Sequence, residues 1–445
     1  MTEISLKLRE TPVTKLFISY LIPSVLGMLL MSINILVDGI FVSHGVGEDA
    51  LAGVNIAVPI FSLFLSISLW IGMGGATLYS ISLGRNEIKK AQSIFTQSFV
   101  LAILIVGVLA ILSLWKETEL AYFFGANDRI LPYVLDYLHI ILLFGIVFVF
   151  ENVLSIFIRN DGNPRLAMVG LIITAILNIV FNYVFIFVMD LGISGAAYAT
   201  VLATFVGFLV MLTHFWHKSS TLKFVRLKFE YAIIKQVMNI GFPSFVVESS
   251  AAILTMGYNI TFMQYTGELG VKAFAVVNYI HVMFLLLFLG VGAALQPIAS
   301  FHYGAKLYDR LRSSLKLAVG TGILFGVITL IVGIIFADFL VSLFGIESQE
   351  VRDFTVKGIG LFFISYLFLA YNLVYAEYFQ AIRNIRLSIT IILARSIILL
   401  IPLLWLLPMF FGVNGIWSAF PVAEGITTIC LVLWNRSRSP VPQIA

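Results

Sequence analysis

Cysteine is almost absent from this chain: Cys430 stands alone, which excludes a disulfide framework and a cysteine-ligated metal site. Charge is scarce as well. Asp, Glu, Lys and Arg make up 11% of the residues against 60% hydrophobic, whereas a soluble domain carries roughly 25% charged residues. This balance places the chain in the membrane class. Alternating segments of about ten residues, which build closed barrels, are missing, so the spanning elements are helices. Also missing are a GxxxxGK[ST] phosphate loop, a dinucleotide fingerprint and an HExxH pair. No polar stretch is large enough for a nucleotide-binding domain, so ATP hydrolysis is excluded and no cofactor is expected. Uphill transport would have to draw on an ion gradient. The stretch from Met1 to Glu10 is polar, so no cleavable signal peptide is expected before the first span.

What the chain does have is long apolar runs. Gly53 to Gly84 contains no charged residue at all, and a helical span needs about 20 apolar residues. Spans are predicted near 16–43, 53–80, 92–114, 131–158, 166–189, 193–216, 234–265, 272–302, 313–336, 354–380, 387–410 and 413–435. Alternate loops differ sharply in basic residues. One set is rich in Lys and Arg, as in Lys7, Arg9 and Lys15 or Lys306, Arg310 and Arg312, and it includes Arg436 and Arg438. The other set mixes a few cations with acids such as Glu48, Asp49 and Glu347. By the positive-inside rule both termini lie in the cytoplasm, and the expected location is a cell (plasma) membrane, in a bacterium the inner membrane.

The chain also repeats itself at an offset of about 220 residues. Pro23-Ser24 matches Pro243-Ser244, Gly72 and Gly74 match Gly290 and Gly292, and Gly192 and Gly195 match Gly412 and Gly415. The expected fold is therefore an all-α polytopic membrane protein with twelve transmembrane helices in two six-helix lobes. The lobes should be related by a pseudo-two-fold axis along the membrane normal. Their expected bounds are 1–216 and 234–445, with a basic cytoplasmic linker at 217–233.

Asp38 is the only residue charged at neutral pH between Phe17 and Ser43. A charge there costs roughly 2.5–3.5 kcal/mol on insertion scales, so it persists mainly where it faces a cavity or a partner. Asn34 lies one turn below on the same face. Asn178 and Asn182 stand one turn apart on the fifth span, Tyr137 near the outer start of the fourth, and Thr200 about two turns into the sixth. All fall at similar depth. A carboxyl among amides and hydroxyls can take a proton, and the same oxygens can hold a sodium ion. The repeat supplies a control: residues that keep the fold should recur, whereas the positions matching Asp38, Asn178 and Asn182 fall near Tyr258, Ile398 and Pro402. The alternative is an interhelical hydrogen-bond knot with a purely structural role. Glu248 and Glu377 in the second half are reserve candidates, and Glu151 in the first is another. Arg395 is expected to pair with Glu424, and His281 to be a hydrogen-bonded core residue. No metal site is expected. Pro23 leaves the backbone ladder of helix 1 incomplete and marks a place for it to bend. Some of the 39 Phe and 12 Met can line an adaptable cavity for greasy cations.

At these residues the chain resembles the multidrug and toxic compound extrusion (MATE) family. Val37-Asp38-Gly39-Ile40-Phe41-Val42 followed by Ala50-Leu51-Ala52-Gly53-Val54 is similar to that family's first-helix signature. Asn163-Pro164-Arg165, Asn178, Asn182, Gly192-Ile193-Ser194-Gly195-Ala196-Ala197 and Ala199-Thr200 resemble its stretch from the fourth to the sixth helix. The resemblance covers the whole chain. It implies a V-shaped antiporter exporting amphipathic or cationic drugs in exchange for protons, expected here ahead of sodium ions. A monomer surrounded by membrane lipid is expected, with no nucleic-acid partner and no enzymatic activity. In the branch whose N-terminal lobe couples the ion, the helix-1 acid matches Asp38, and the matching tyrosine, asparagine and threonine are Tyr137, Asn178 and Thr200. That branch often has Asp where Asn182 stands, which leaves Asp38 as the principal titrating group. In another branch second-lobe acids do this work, which keeps Glu248 in reserve.

A flippase for a lipid-linked precursor is the nearest rival, but a pyrophosphate cargo calls for several cavity cations, and only Arg395 lies well inside a span. A membrane-embedded transferase would need clustered His, Asp or Glu at an interface loop. A channel explains neither the first-half acid nor the asymmetry of the repeat. The order is exporter, flippase, enzyme, channel.

Overall fold

A computed structural model describes residues 3–344, 346 and 348–437, except for the side chains of residues 35, 36 and 48. Glu347 and Arg438, used in the charge comparison, lie outside the described residues, as does the Glu48 side chain. The described residues form helices and no strand. The first half contains α1 (Glu3–Glu10), α2 (Val13–Gly45), α3 (Glu48–Gly84), α4 (Ile88–Trp115), α5 (Glu117–Phe123), α6 (Leu131–Leu143), α7 (Gly145–Asn160), α8 (Pro164–Asn182) and α9 (Gly192–Leu212). The second contains α10 (Tyr231–Thr266), α11 (Glu268–Gly304), α12 (Tyr308–Ile335), α13 (Ala337–Ser342), α14 (Gln349–Phe362), α15 (Tyr366–Ala381), α16 (Ile385–Leu393), α17 (Leu400–Phe411) and α18 (Val413–Ser437).

Among the described residues eleven helical segments are long and apolar enough to cross a membrane, and α6 with α7 makes a twelfth. That crossing is bent by 52° at Phe144, so the single helix expected over 131–158 is in fact two. Gly145 permits the break: a Cβ there would run into the Phe64 ring of α3. By contrast α2 runs unbroken through Pro23. Two crossings contain a widened π-turn, Tyr183–Val188 after α8 and Ala394–Ile398 between α16 and α17.

The internal repeat is written into the backbone. Positive φ recurs at Gly47 and Gly267, at Asn86 and Lys306, at Gly162 and Arg383, and at Gly192 and Gly412. These pairs keep the offset of about 220 residues. Asn86 and Lys306 close the same kind of turn. Each donates its N–H three residues back, and the next residue bonds back five, as in a left-handed helix C-cap. A side chain at positive φ costs energy, so its recurrence at non-glycine positions marks a shared requirement of the turn.

Residues up to Thr11 together with Ile22–Phe245 form one compact unit, and Pro12–Leu21 with the described residues from Val246 onward form the other. The second unit is built around rings. Tyr258 stacks on Phe274 at 4.5 Å, and Phe262 meets Trp417 at 4.5 Å.

The segment expected as a linker turns at 217–220, runs without helix or strand to 230, and is tied to the first unit. Asp161, fully buried at the end of α7, is its anchor. Its carboxylate accepts from the Thr221 N–H at 2.9 Å, the Leu222 N–H at 3.3 Å, the Ser220 hydroxyl at 3.2 Å and the Thr221 hydroxyl. Tyr79 of α3 donates to it at 2.7 Å and His214 Nε2 lies 2.7 Å away. Further along, Thr96 Oγ1 accepts from Val225 N–H and Gln97 Oε1 from Glu230 N–H. Asp161→Ala should leave these buried donors unpaired, at a cost of about 3 kcal/mol. Trypsin should then cleave at Lys223 and Arg226 much faster than in the wild type. Equal cleavage rates would show that Asp161 does not hold the segment.

Candidate functional site

Four helices of the first unit converge on Asp38. Residues four apart share a helix face, so α2 presents Asn34 and Asp38 together and α8 presents Asn178 and Asn182. The side chains meet as the pattern requires. Asn182 Nδ2 donates to Asp38 Oδ1 and, with its other hydrogen, to Asn178 Oδ1 at 3.0 Å. Asn34 Nδ2 donates to the same Asn178 oxygen at 2.9 Å. Asn178 Nδ2 donates to Thr200 Oγ1 of α9 at 3.2 Å, and the Thr200 hydroxyl donates back to Ala196 O at 3.0 Å. Tyr137 of α6 stands against Thr200, close enough to Asp38 for their charges to interact. The structure thus brings all six sequence-selected residues into one cluster, although Asn34 reaches Asn178 and not the neighbouring carboxyl.

Asn178 and Asn182 are essentially inaccessible, at 1% and 0% exposure. Both Asn182 hydrogens are used, while its Oδ1 finds no donor among the described residues. A buried amide oxygen without a partner is rare enough to require a reason. Here it sits on the same group that holds the carboxyl. Among the described residues no set of three His, Cys, Asp or Glu side chains is placed to hold a metal ion.

The second unit differs at each matching position. Tyr258 is buried in the ring cluster, and its hydroxyl accepts from Phe420 N–H at 3.1 Å. Ile398 is 60% exposed, and Pro402 is exposed. Arg395 Nε and Glu424 Oε1 form a buried ion pair at 2.6 Å, and His281 bonds Tyr366 at 2.9 Å within the core. Glu248, partly buried on α10, makes no hydrogen bond or ion pair among the described residues. Glu377 packs over Gly292 of α11.

Three residues escaped the sequence reading. Thr174 bonds Glu151 and stands one turn before Asn178, so the same spacing of four that selected Asn182 would have found it. Asn372 donates to Glu424 Oε2 at 2.7 Å, and only the repeat, which sets it opposite Glu151, hints at it. Asp161 carries no signal beyond an acid in a Gly-Asn-Pro turn.

Asn178 links α2, α8 and α9, and one interhelical hydrogen bond in a membrane is worth about 0.6–1.7 kcal/mol. Asn178→Leu should therefore destabilise the protein by about 1–3 kcal/mol, read as a lower thermal unfolding midpoint in detergent. An unchanged midpoint would mean that the cluster does not hold these helices together.

Comparison with known proteins agrees with this architecture. The MatE family model matches residues 23–184 and again 243–406. Multidrug export protein MepA of Staphylococcus saprophyticus is 23% identical over 435 residues, covering 95% of this chain and 94% of that protein. Probable multidrug resistance protein YoeA of Bacillus subtilis is 24% identical over 340 residues, covering 74% and 73%. Among solved structures, a complex of the MATE multidrug transporter DinF-BH has a TM-score of 0.87 at 31% identity, covering 96% of both chains. An outward-facing multidrug resistance MATE family transporter of the MOP superfamily has a TM-score of 0.92 at 23% identity, covering 98% of both. With the family model matching residues 23–184 and again 243–406, this chain belongs to the MatE family.

Proposed function

We propose that this chain is a secondary active multidrug exporter, moving amphipathic or cationic organic compounds in exchange for protons, with Asp38 as the ion-carrying carboxyl. The observation that carries the reading is a carboxyl held by an amide inside a cluster that only one half of a repeated chain possesses. The names of MepA and YoeA, and the description of DinF-BH as a multidrug transporter, support the cargo class.

The cluster suits a proton better than a sodium ion. A metal cation needs several free oxygens converging on one point, but Asn178 Oδ1 already receives two N–H donors and Asp38 Oδ1 receives one. A proton needs a single carboxyl. Ionised Asp38 accepts from Asn182, whereas protonated Asp38 becomes a donor. The idle Asn182 Oδ1 is then the acceptor within reach, and turning the amide to offer it withdraws Nδ2 from Asn178. Protonation thereby rewrites the contact between α2 and α8. Ionised Asp38 favours a cationic cargo and the neutral acid does not, which is the differential affinity that exchange requires.

Asp38→Asn keeps the neutral shape but cannot release a proton. In liposomes it should keep only weakened binding of a cationic dye and lose dye efflux under an imposed proton gradient, with wild-type efflux answering to the proton gradient and not to a sodium gradient. Glu248→Gln should keep most of that efflux. Full efflux by Asp38→Asn, with coupling lost in Glu248→Gln, would move the ion site to the second unit.

The basic loops support an orientation with both termini in the cytoplasm. Single cysteines at Asp128 and Lys223, in a chain with Cys430 replaced, should label from outside and inside the cell respectively. Equal labelling of both from outside would overturn this orientation.

A further inference from the structure

A second carboxyl of the first unit lies deeper in the same bundle. Glu151 of α7 is 8% exposed and touches Thr174 of α8. Thr174 precedes Asn182 by two turns on one helix face, so Glu151 is displaced from the Asp38 cluster by about 12 Å along α8. The α9 backbone closes over the pair at Gly207, where an added Cβ would overlap both the Thr174 hydroxyl and the Glu151 carboxyl.

Carboxylates inside a membrane bundle are neutralised by a cation or by a proton. The repeat shows both answers at one place. At the offset of about 220 residues, Glu151, Thr174 and Thr204 correspond to Asn372, Arg395 and Glu424. In the second unit Arg395 neutralises Glu424, and Asn372 donates to that carboxylate as well. In the first unit Glu151 forms no ion pair among the described residues, and its side-chain partner is the Thr174 hydroxyl. Among the described side chains, the titratable groups on the elements packed against α7 are Asp49 and Tyr79 on α3, Lys89 and Lys90 on α4, Tyr133, Asp136, Tyr137 and His139 on α6, Arg165 on α8 and Tyr198 on α9. Arg159 is in the last turn of α7 itself. Tyr79 is occupied by Asp161.

We propose that Glu151 is a second proton-carrying carboxyl of the first unit, distinct from Asp38, with the Thr174 hydroxyl as its two-position partner. Thr174 has one hydroxyl hydrogen and two acceptors, Glu151 Oε1 and the Ala203 carbonyl of α9 at 3.4 Å. When Glu151 is ionised, that hydrogen points to the carboxylate. When a proton adds to Glu151, the new O–H donates to Thr174 Oγ1, and the threonine hydrogen turns to Ala203 O. No other atom changes partner, and one proton is gained. The inference deepens the exporter reading by assigning that exporter a second proton site.

Infrared difference spectra of the full chain in lipid nanodiscs, between acidic and alkaline buffer, test it without any transport. A C=O band of a protonated carboxyl should vanish in Glu151→Gln and survive in Asp38→Asn. Thr174→Val should shift that band without removing it, an effect that a merely structural threonine would not have. Glu151→Asp should keep a displaced band, which separates loss of the group from loss of the fold. In liposomes Glu151→Gln should reduce by about half the slope of dye accumulation against the imposed pH gradient, as expected if two coupled protons become one. Protonated-carboxyl bands left intact in Glu151→Gln, or all removed by Asp38→Asn, would overturn the proposal. Failure of the exporter reading would look different: no gradient-driven dye movement in any variant, with the Glu151 band still present.

Discussion

A charge inside an apolar bundle has no water to turn to, and the arrangement of this chain follows from where each such charge finds relief. In the second unit Glu424 is met by Arg395 and by Asn372, so its carboxylate is neutralised within the protein. In the first unit the Lys and Arg of α2, α4, α7 and α8 stand in a first or last turn, and Asp38 and Glu151 have amide and hydroxyl partners but no ion pair among the described residues. Asp38 leans on Asn182, Glu151 on Thr174.

The repeat makes that contrast readable, because the two halves share a scaffold. Positive-φ turns fall at matching places, and the fifth and eleventh crossings each relax into a π-turn beside their polar residues. What differs is the filling. Rings surround Tyr258 where amides surround Asp38. An aromatic cluster has no alternative set of hydrogen bonds, whereas an amide cluster has several. The backbone is the same in both halves, and the filling of the polar positions is not.

Much of this was legible beforehand, for a physical reason. Spans were readable because lipid demands charge-free runs, and the Asp38 cluster because helical spacing puts Asn178 beside Asn182 whatever the tertiary structure does. The break at Phe144 was not, since it depends on the Phe64 ring arriving from another helix. Asp161 was missed for the same reason: its partners Tyr79, His214 and Thr221 come from three separate segments, and no local period relates them. Asn34 shows the boundary well. Periodicity placed it on the right face but could not say that its amide would reach past Asp38 to Asn178.

Magnitudes decide which of these contacts can move. A tenfold proton gradient supplies about 1.4 kcal/mol per proton. An interhelical hydrogen bond in a membrane is worth about 0.6–1.7 kcal/mol, so one proton is enough to exchange one such bond for another. Separating a buried ion pair costs about 3–5 kcal/mol, which puts Arg395 and Glu424 beyond the reach of the same gradient. The contacts that join α2, α7, α8 and α9 are therefore those a proton can rearrange. Three of them stand every fourth residue along one face of α8, at Thr174, Asn178 and Asn182. A change at either carboxyl is felt by the same helix, and α8 is the element through which the two acids would act together.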